Sequence, residues 1–399
     1  MKILIVSQYF WPEEFRVNDL AIDLVKRGHE VSVLTGNPNY PKGKFLKGYG
    51  FKWSKEAYRG VKIYRVPIIP RGSNSLMLIL NYLSFVIAGS FFSFFHKIQY
   101  DKVFAINFSP ITAVIPAIVY CKKQKQDLSI WVQDLWPESV IAASNIKSNR
   151  IQKILTKLVE YIYINSHKIF ISNYGFKKSL FSKGVKADKI FYMPNWAEDI
   201  FELQQVLKTD SEKFSIPEGF VIMFAGNLGE AQDLENVLKA AELTKKNKNI
   251  KWVFVGDGRK ANWLRDNIES KNLSETVITL GRFPTKLMPT IFRQADVMLV
   301  SLKDEFIFSL TVPSKVQCYM ASKKPILGML NGAGNDIIYK SQSGFVSNAG
   351  DFHRLAKYAM KFESLSKKDK ELLGQNSFNY YQKYFTKNKI IDSFIQNLG

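Results

Sequence analysis

The chain predicts an α/β protein made of two doubly wound, Rossmann-like domains that face each other across a cleft. Two strand–loop–helix openings carry that prediction. KILIVSQYFWPEE (residues 2–14) and FVIMFAGNLGEAQ (220–232) each run apolar for a few residues, stop at small or polar ones and then enter a helical pattern. A buried parallel strand hands its chain to a ligand-binding loop at the carboxyl edge of a sheet in this way. The third observation is length: 399 residues are long for one core and comfortable for two.

In the first half, KILIVS, a helix near Asn18–Arg27 and EVSVLTG form a βαβ unit of ordinary length. Further strands are expected at KIYRVP, KVFAIN, LSIWVQD, KIFIS and KIFYMP. The segment Gly36–Trp53, rich in Gly, Pro, aromatics and lysine, reads either as a loop over a binding site or as an irregular surface connection. The alternation ends at PNWAEDIF (194–201), and the polar stretch up to Pro217 reads as a linker.

The second half restarts with FVIMFAG, a helix over Leu234–Lys245, WVFVG, a helix over Lys260–Lys271 and VITLG. A helix over Lys286–Gln294, VMLVSL, a helix near Ser314–Ser322 and PILGML follow, and the tail Lys367–Leu398 reads as helical. These signals bound one domain at 1–199 and a second at 200–377, with the last helix, about 378–399, packing back on the first.

One stretch imitates a membrane span. LMLILNYLSFVIAGSFFSFF, within the charge-free run Gly72–Phe95, is long enough to cross a bilayer. Asn81, Ser84, Gly89, Ser90 and Ser93 interrupt it, and the strands expected on either side belong to one sheet. A long helix, either buried core or dipped into a lipid interface, is the better reading, flanked by Arg65, Arg71 and Lys97.

The net charge is +21, of which residues 1–200 hold +14 (28 Lys and Arg against 14 Asp and Glu). That excess suits an anionic surface, such as phospholipid head groups or a pyrophosphate-bearing acceptor; solubilising lysine is the alternative. Cys121 and Cys318 form no metal-ligand or redox spacing, and His29, His96, His167 and His353 are scattered. A structural zinc site is not expected. The N-terminus has no long apolar region before Ser7 and Gln8, so a cytoplasmic location is expected.

Five motifs in order, PNWAE (194–198), FAGNLG (224–229), FVGDGRKANWLR (254–265), LGRFPTKLMPTIFRQADVMLVS (280–301) and PSKVQCYMASKKPIL (313–327), make the chain resemble glycosyltransferase family 4. The resemblance implies the GT-B fold, with an acceptor-binding N-terminal domain and a C-terminal domain holding the sugar-nucleotide donor. QYFWPEEFRVND (8–19), NFSPIT (107–112) and WVQDLWPES (131–139) resemble a narrower group, the bacterial N-acetyl-L-fucosamine transferases of capsule and O-antigen assembly. That group implies a UDP-sugar donor and a polyprenyl-diphosphate-linked saccharide acceptor, with the enzyme peripheral on the inner face of the bacterial cytoplasmic membrane.

Sugar transfer must stabilise the charge that develops on the leaving diphosphate. GT-B enzymes do so with helix N-termini, loop amides and cationic side chains. No Asp-x-Asp occurs, which fits chemistry without a metal or other cofactor. In the family, the loop matching Gly226–Asp233 carries an Arg and a Lys; here Asn227 and Gln232 stand instead. Lys315, after Ser314 at a helix entrance, is the candidate substitute, or else a solvated surface lysine. The family's ribose-binding glutamates align on Cys318 and Leu310, so recognition would shift to Gln317 or backbone groups, while Glu305 lies in the loop near the donor sugar. Gly281, Arg282 and Phe283 resemble the segment that meets the base.

On the acceptor side, Gln133, Asp134, Trp136 and Glu138 follow a strand directly. Gln133 falls where many relatives place a histidine, and Asp134 or Glu138 is the candidate general base. The alternative for Asp134 is helix capping. Glu13, Arg16 and Asn18 occupy the first loop, where Arg16 meets an acceptor pyrophosphate or pairs with Asp19 or Asp23. Asn107 and Ser109 lie at another strand end. Asn195 and Glu198 fit an interdomain turn, and His29 a helix-to-strand turn.

Two rival functions stand beside the transferase. A nucleotide-sugar 2-epimerase shares the architecture and needs paired acid/base groups in a sealed cleft. A non-catalytic basic protein binding membrane or nucleic acid needs one continuous basic stripe, whereas these residues are dispersed among the βα elements, so no nucleic acid partner is expected.

Overall fold

A computed structural model describes residues 1–144, 148–203 and 216–399. The chain divides into two compact units, Met1–Met193 with Ser393–Gly399, and Pro194–Asp392. Most of the linker expected before Pro217 lies outside the described residues.

The first unit is one sheet of eight strands: β1 (Lys2–Val6), β2 (Glu30–Gly36), β3 (Ser54–Tyr58), β4 (Val61–Val66), β5 (Lys102–Asn107), β6 (Leu128–Val132), β7 (Lys168–Ile171) and β8 (Ile190–Tyr192). Their order is β3-β4-β2-β1-β5-β6-β7-β8. All pairs are parallel except the edge pair β3·β4. Ile3, Leu4, Ile5 and Val6 of β1 are fully buried, as a strand covered on both faces requires. The helices α1 (Arg16–Lys26), α2 (Ser75–Phe95), α3 (Ile115–Gln124), α4 (Glu138–Ser144), α5 (Asn149–Ile164) and α6 (Lys177–Ser182) connect these strands.

The helix α2 is the one described element long and apolar enough to cross a membrane. It joins β4 to β5 of the same sheet, so it is a crossover helix that returns to where it began. Its N-cap is Asn74, whose Oδ1 accepts from Met77 N at 2.9 Å.

At the antiparallel edge, Arg65 is buried and donates to Gly36 O at 2.9 Å, to Trp11 O and to the Glu56 carboxylate. One guanidinium thus ties β2, β3, β4 and the loop after β1. The strand β3 was not expected from sequence: SKEAY alternates half-buried and exposed residues and lacks an apolar run.

The second unit follows Asp199–Leu203 (α7) with an all-parallel sheet of β9 (Phe220–Ala225), β10 (Ile250–Val255), β11 (Val277–Gly281), β12 (Val297–Ser301), β13 (Ile326–Met329) and β14 (Gly344–Ser347). The order β11-β10-β9-β12-β13-β14 is that of a Rossmann sheet. Its helices are α8 (Leu234–Thr244), α9 (Ala261–Ser270), α10 (Met288–Arg293), α11 (Phe306–Ser309), α12 (Ser314–Ala321), α13 (Gly332–Lys340), α14 (Phe352–Ser364), α15 (Lys367–Tyr384) and α16 (Lys387–Leu398). Side chains of β9 alternate between two cores: Val221, Met223 and Ala225 enter one, Phe220, Ile222 and Phe224 the other. The end of α16 belongs to the first unit, where Phe394 packs on Phe104 and Phe170 at ring distances of 4.6 and 5.1 Å.

Replacing Arg65 with Met should cost about 3–5 kcal/mol, because it leaves Glu56 without its partner and two carbonyls unsatisfied. Urea unfolding reads this directly; an unchanged midpoint would show that the network is not a stabilising tie.

Candidate functional site

In the second unit the strand order reverses between β9 and β12, which puts the ligand crevice of such a sheet beside the loop after β9. That loop is held by its neighbour after β10. Gly226 N donates to Val255 O at 2.9 Å, Leu228 N to Asp257 O at 2.9 Å, and Lys260 N to Leu228 O at 2.9 Å. The approach is so close that a Cβ on Gly256 (φ +143°) would lie 1.8 Å from Gly226 O. Only glycine fits there.

The helix α12 is pinned to the same strand end. Tyr319 Oη donates to Ala225 O at 3.0 Å and accepts from Ala225 N at 3.1 Å. One turn earlier, Lys315 Nζ lies over the Phe224 ring, 3.7 Å from its centroid. A Cβ on Gly226 would be 3.5 Å from that nitrogen. The ammonium is buried and has no hydrogen-bond partner, and burial lowers its pKa to about 7. A solvated surface lysine it is not.

The other expected donor residues are placed as follows. Gln232 Oε1 accepts from Gly229 N at 3.1 Å, so this amide braces its own turn. Asn227 is exposed and packs its amide against Gly229 and Gly258. Gln317 is buried, and its amide nitrogen donates to Pro313 O at 3.1 Å and Ser314 O at 3.0 Å, within its own helix start. It therefore faces no ribose, which corrects that expectation. Glu305 and Ser314 are exposed, Glu305 opening α11 through its backbone. Arg282 is exposed and Phe283 leans on the core at the sheet edge, next to Gly281, whose carbonyl accepts from Gly256 N at 2.8 Å. Cys318 Sγ lies 3.5 Å from Glu198 Oε2, so a carboxylate does stand beside this turn of α12. It comes from the PNWAE segment, distant in sequence.

In the first unit the order reverses between β1 and β5. Asn107 stitches the ends of β5 and β6: its carbonyl accepts from Gln133 N at 2.9 Å and its Nδ2 donates to Asp134 O at 2.9 Å. Burial raises the pKa of Asp134, against the pull of Ser139, Trp136, Ser109 and the Leu135 amide. Trp136 Nε1 and Ser139 Oγ make no hydrogen bond of good geometry, which leaves that pull weak. Ser109 also interacts with Tyr82 of α2, whose hydroxyl pKa is raised by burial and lowered by the charge of Arg71. Asp134, Ser109, Tyr82 and Arg71 thus form one polar group at the carboxyl edge. Tyr82 and Arg71 were not singled out as site residues from sequence, because one sits in an uncharged helix and the other in a loop.

Several acceptor candidates turn out to be braces. Asn18 Oδ1 accepts from Trp11 N at 3.0 Å while its Nδ2 donates to Glu13 O at 2.6 Å. Glu13 is buried, with Oε1 accepting from Asn39 N at 2.8 Å and Tyr40 N at 2.7 Å. Burial pushes its carboxyl up despite these amides. Arg16 pairs with Asp19 at 3.8 Å on the first turn of α1. Trp136 is a buried ring, and Glu138 Oε1 is committed to Lys183 Nζ and Ser179 Oγ, both at 2.6 Å. The ion pair engages one oxygen of Glu138, while the other, Oε2, is buried without a hydrogen-bond partner. Among the described residues, no three His, Cys, Asp or Glu side chains gather to hold a metal.

Residues 208–379 match the family model of glycosyl transferases group 1. The probable glycosyltransferase WbjE of Pseudomonas aeruginosa is 31% identical over 206 residues, a stretch spanning only half of each chain. The putative colanic acid biosynthesis glycosyl transferase WcaI of Escherichia coli (strain K12) is 24% identical over 320 residues, 76% of this chain and 77% of that one. In structure, sucrose-phosphate synthase from Thermosynechococcus elongatus matches with a TM-score of 0.75 at 14% identity, over 99% and 98% of the two chains. Anabaena Alr3699/HepE in complex with UDP-glucose matches with a TM-score of 0.70 at 13% identity, over 100% and 99%.

Tyr319→Phe removes both bonds to Ala225 and should cost about 1–3 kcal/mol. Thermal or urea unfolding measures it; a neutral result would mean that α12 is held by apolar packing alone. The chain has the GT-B fold of two Rossmann-like domains, and its residues 208–379 match the model of glycosyl transferases group 1.

Proposed function

We propose that this protein is a glycosyltransferase that moves a sugar from a UDP-sugar to a polyprenyl-diphosphate-linked saccharide in surface polysaccharide synthesis. The observation that carries the reading is Lys315, a buried ammonium without a hydrogen-bond partner beside the glycine loops after β9 and β10. A diphosphate supplies what that nitrogen lacks. As the glycosidic bond to the donor breaks, negative charge grows on the departing phosphate, and a fixed cation in a dry setting stabilises it. The amides at the start of α12 add to this.

Asp134 is the group proposed to take the acceptor hydroxyl proton. Its raised pKa makes it a better base near neutrality than an exposed aspartate. Arg71, Tyr82 and Ser109 around it suit a diphosphate-linked sugar. No metal ion is required in this scheme, and activity should persist in EDTA. N-acetyl-L-fucosamine is the proposed sugar, supported by the motifs QYFWPEEFRVND, NFSPIT and WVQDLWPES. The names of WbjE and WcaI support surface polysaccharide assembly, and the UDP-glucose complex of HepE supports a uridine nucleotide. The lipid-linked acceptor puts the reaction at the inner leaflet of the cytoplasmic membrane.

Lys315→Ala should weaken UDP binding about tenfold to a hundredfold, measured by calorimetry. Asp134→Asn should leave UDP affinity intact and lower kcat by about 10²–10⁴. An unchanged UDP affinity in the first variant removes Lys315 from the donor site, and full activity in the second removes Asp134 from proton transfer. Assay of UDP-sugars against lipid-linked saccharides, with products weighed by mass spectrometry, identifies the sugar.

A further inference from the structure

The helix α2 is built the wrong way round for a soluble crossover. Its buried positions are Asn81, Phe85, Gly89 and Ser93, mostly small or polar. Its outward positions include Leu76, Ile79, Leu83, Ile87 and Phe91, with Ile87 69% exposed. A helix packed only between core and water shows the opposite pattern. The inward amide is fully used: Asn81 Oδ1 accepts from Gln8 Nε2 at 2.8 Å, and Asn81 Nδ2 donates to Ile69 O. Gly89 lets Pro116 of α3 approach, since a Cβ there would lie 2.8 Å from the proline ring.

The neighbouring helices extend this face. The crossovers β4–α2–β5, β5–α3–β6 and β6–α5–β7 all step the same way across the sheet, so right-handed connections put their helices on one side. Between α2 and α5 stand two lysines of α3. Lys123 Nζ bonds Phe94 O of α2 and lies 4.9 Å from that ring centroid. Lys122 Nζ reaches Tyr161 of α5 at 3.1 Å. The helix α5 exposes Ile151, Ile154 and Ile164 beside Arg150, Lys153 and Lys157, while Glu160 is the one acid on the three helices.

We propose that the face formed by α2, α3 and α5 docks into the interface of an anionic lipid bilayer. The exposed apolar side chains enter the acyl boundary while the lysines and arginine meet lipid phosphates. Charge selects this occupant over a second copy of the chain, because two such faces would oppose cation to cation. The inner face of α2 carries Tyr82 of the acceptor-side group, so the lipid surface and the acceptor chemistry share one rigid helix. Such a seat serves the lipid-linked acceptor proposed above, on which its purpose rests, whereas its physics needs only these helix faces.

The test is flotation of the purified full chain with vesicles of phosphatidylglycerol and phosphatidylcholine, against phosphatidylcholine alone. The protein should float with the anionic vesicles and release at high salt. Ile87→Asp and the pair Lys122→Glu with Lys123→Glu should each reduce binding about tenfold or more. Circular dichroism and UDP affinity should stay unchanged in these variants. Hydrogen exchange on the unaltered protein provides a variant-free reading: residues 75–95 should gain protection on vesicles and α9 should not. Failure of the unaltered chain to float, floating by the variants at full strength, or a salt-stable dimer in place of vesicle binding would each overturn the proposal. Flotation without any UDP affinity would leave the docking face standing and defeat the transferase reading instead.

Discussion

A lysine ammonium held away from water and hydrogen-bond partners is the constraint on which the donor end of this protein depends. Desolvation alone lowers Lys315 to about 7, so near neutrality the site holds a cation only part of the time. The cost of keeping it there is met by structure that leaves it little choice. Tyr319 clasps both backbone groups of Ala225, the Phe224 ring offers the ammonium a π face, and the backbone of Gly226 runs beside it. Parallel strands make this possible, because β9 and β12 part at the carboxyl edge and free the backbone of Ala225 for a side chain to take.

The first unit solves a different problem with the same topology. Its switch-point loops are crowded with polar groups, yet most of these hold each other. Asn18 and Glu13 brace loops, and Asn107 joins two strand ends. What remains available for chemistry is the group around Asp134, where burial raises the carboxyl and the nearby donors are poorly aligned.

The fold was legible in the sequence wherever a strand is buried on both faces. KILIV, KVFAIN and FVIMFA are short unbroken apolar runs because parallel strands between two helix layers have no wet side. Two edge strands, β3 and β14, were not legible: SKEAY alternates at the antiparallel edge, and GFVS offers no sustained apolar run. The site was legible as loops more than as roles. Glu138 and Lys183 lie 45 residues apart in sequence, and nothing in either local pattern announces their ion pair. Likewise Cys318 suggested a missing carboxylate, while folding brings Glu198 beside it across 120 residues. A lysine's lack of partners is a property of packing, so Lys315 could be nominated from its place before a helix but not weighed.

The most direct test of the donor-site account is the proton count on UDP binding. Calorimetry at pH 8 in buffers of different ionisation heat reports it, and the phosphates of UDP are already fully ionised there. The folded-state pKa of Lys315 is about 7 without ligand. A diphosphate bonded to the nitrogen raises it, so binding should take up about one proton at pH 8. Affinity should accordingly fall as pH rises above 7. UDP binding with no proton uptake at pH 8 would contradict the account, because the buried ammonium would then not be what holds the nucleotide.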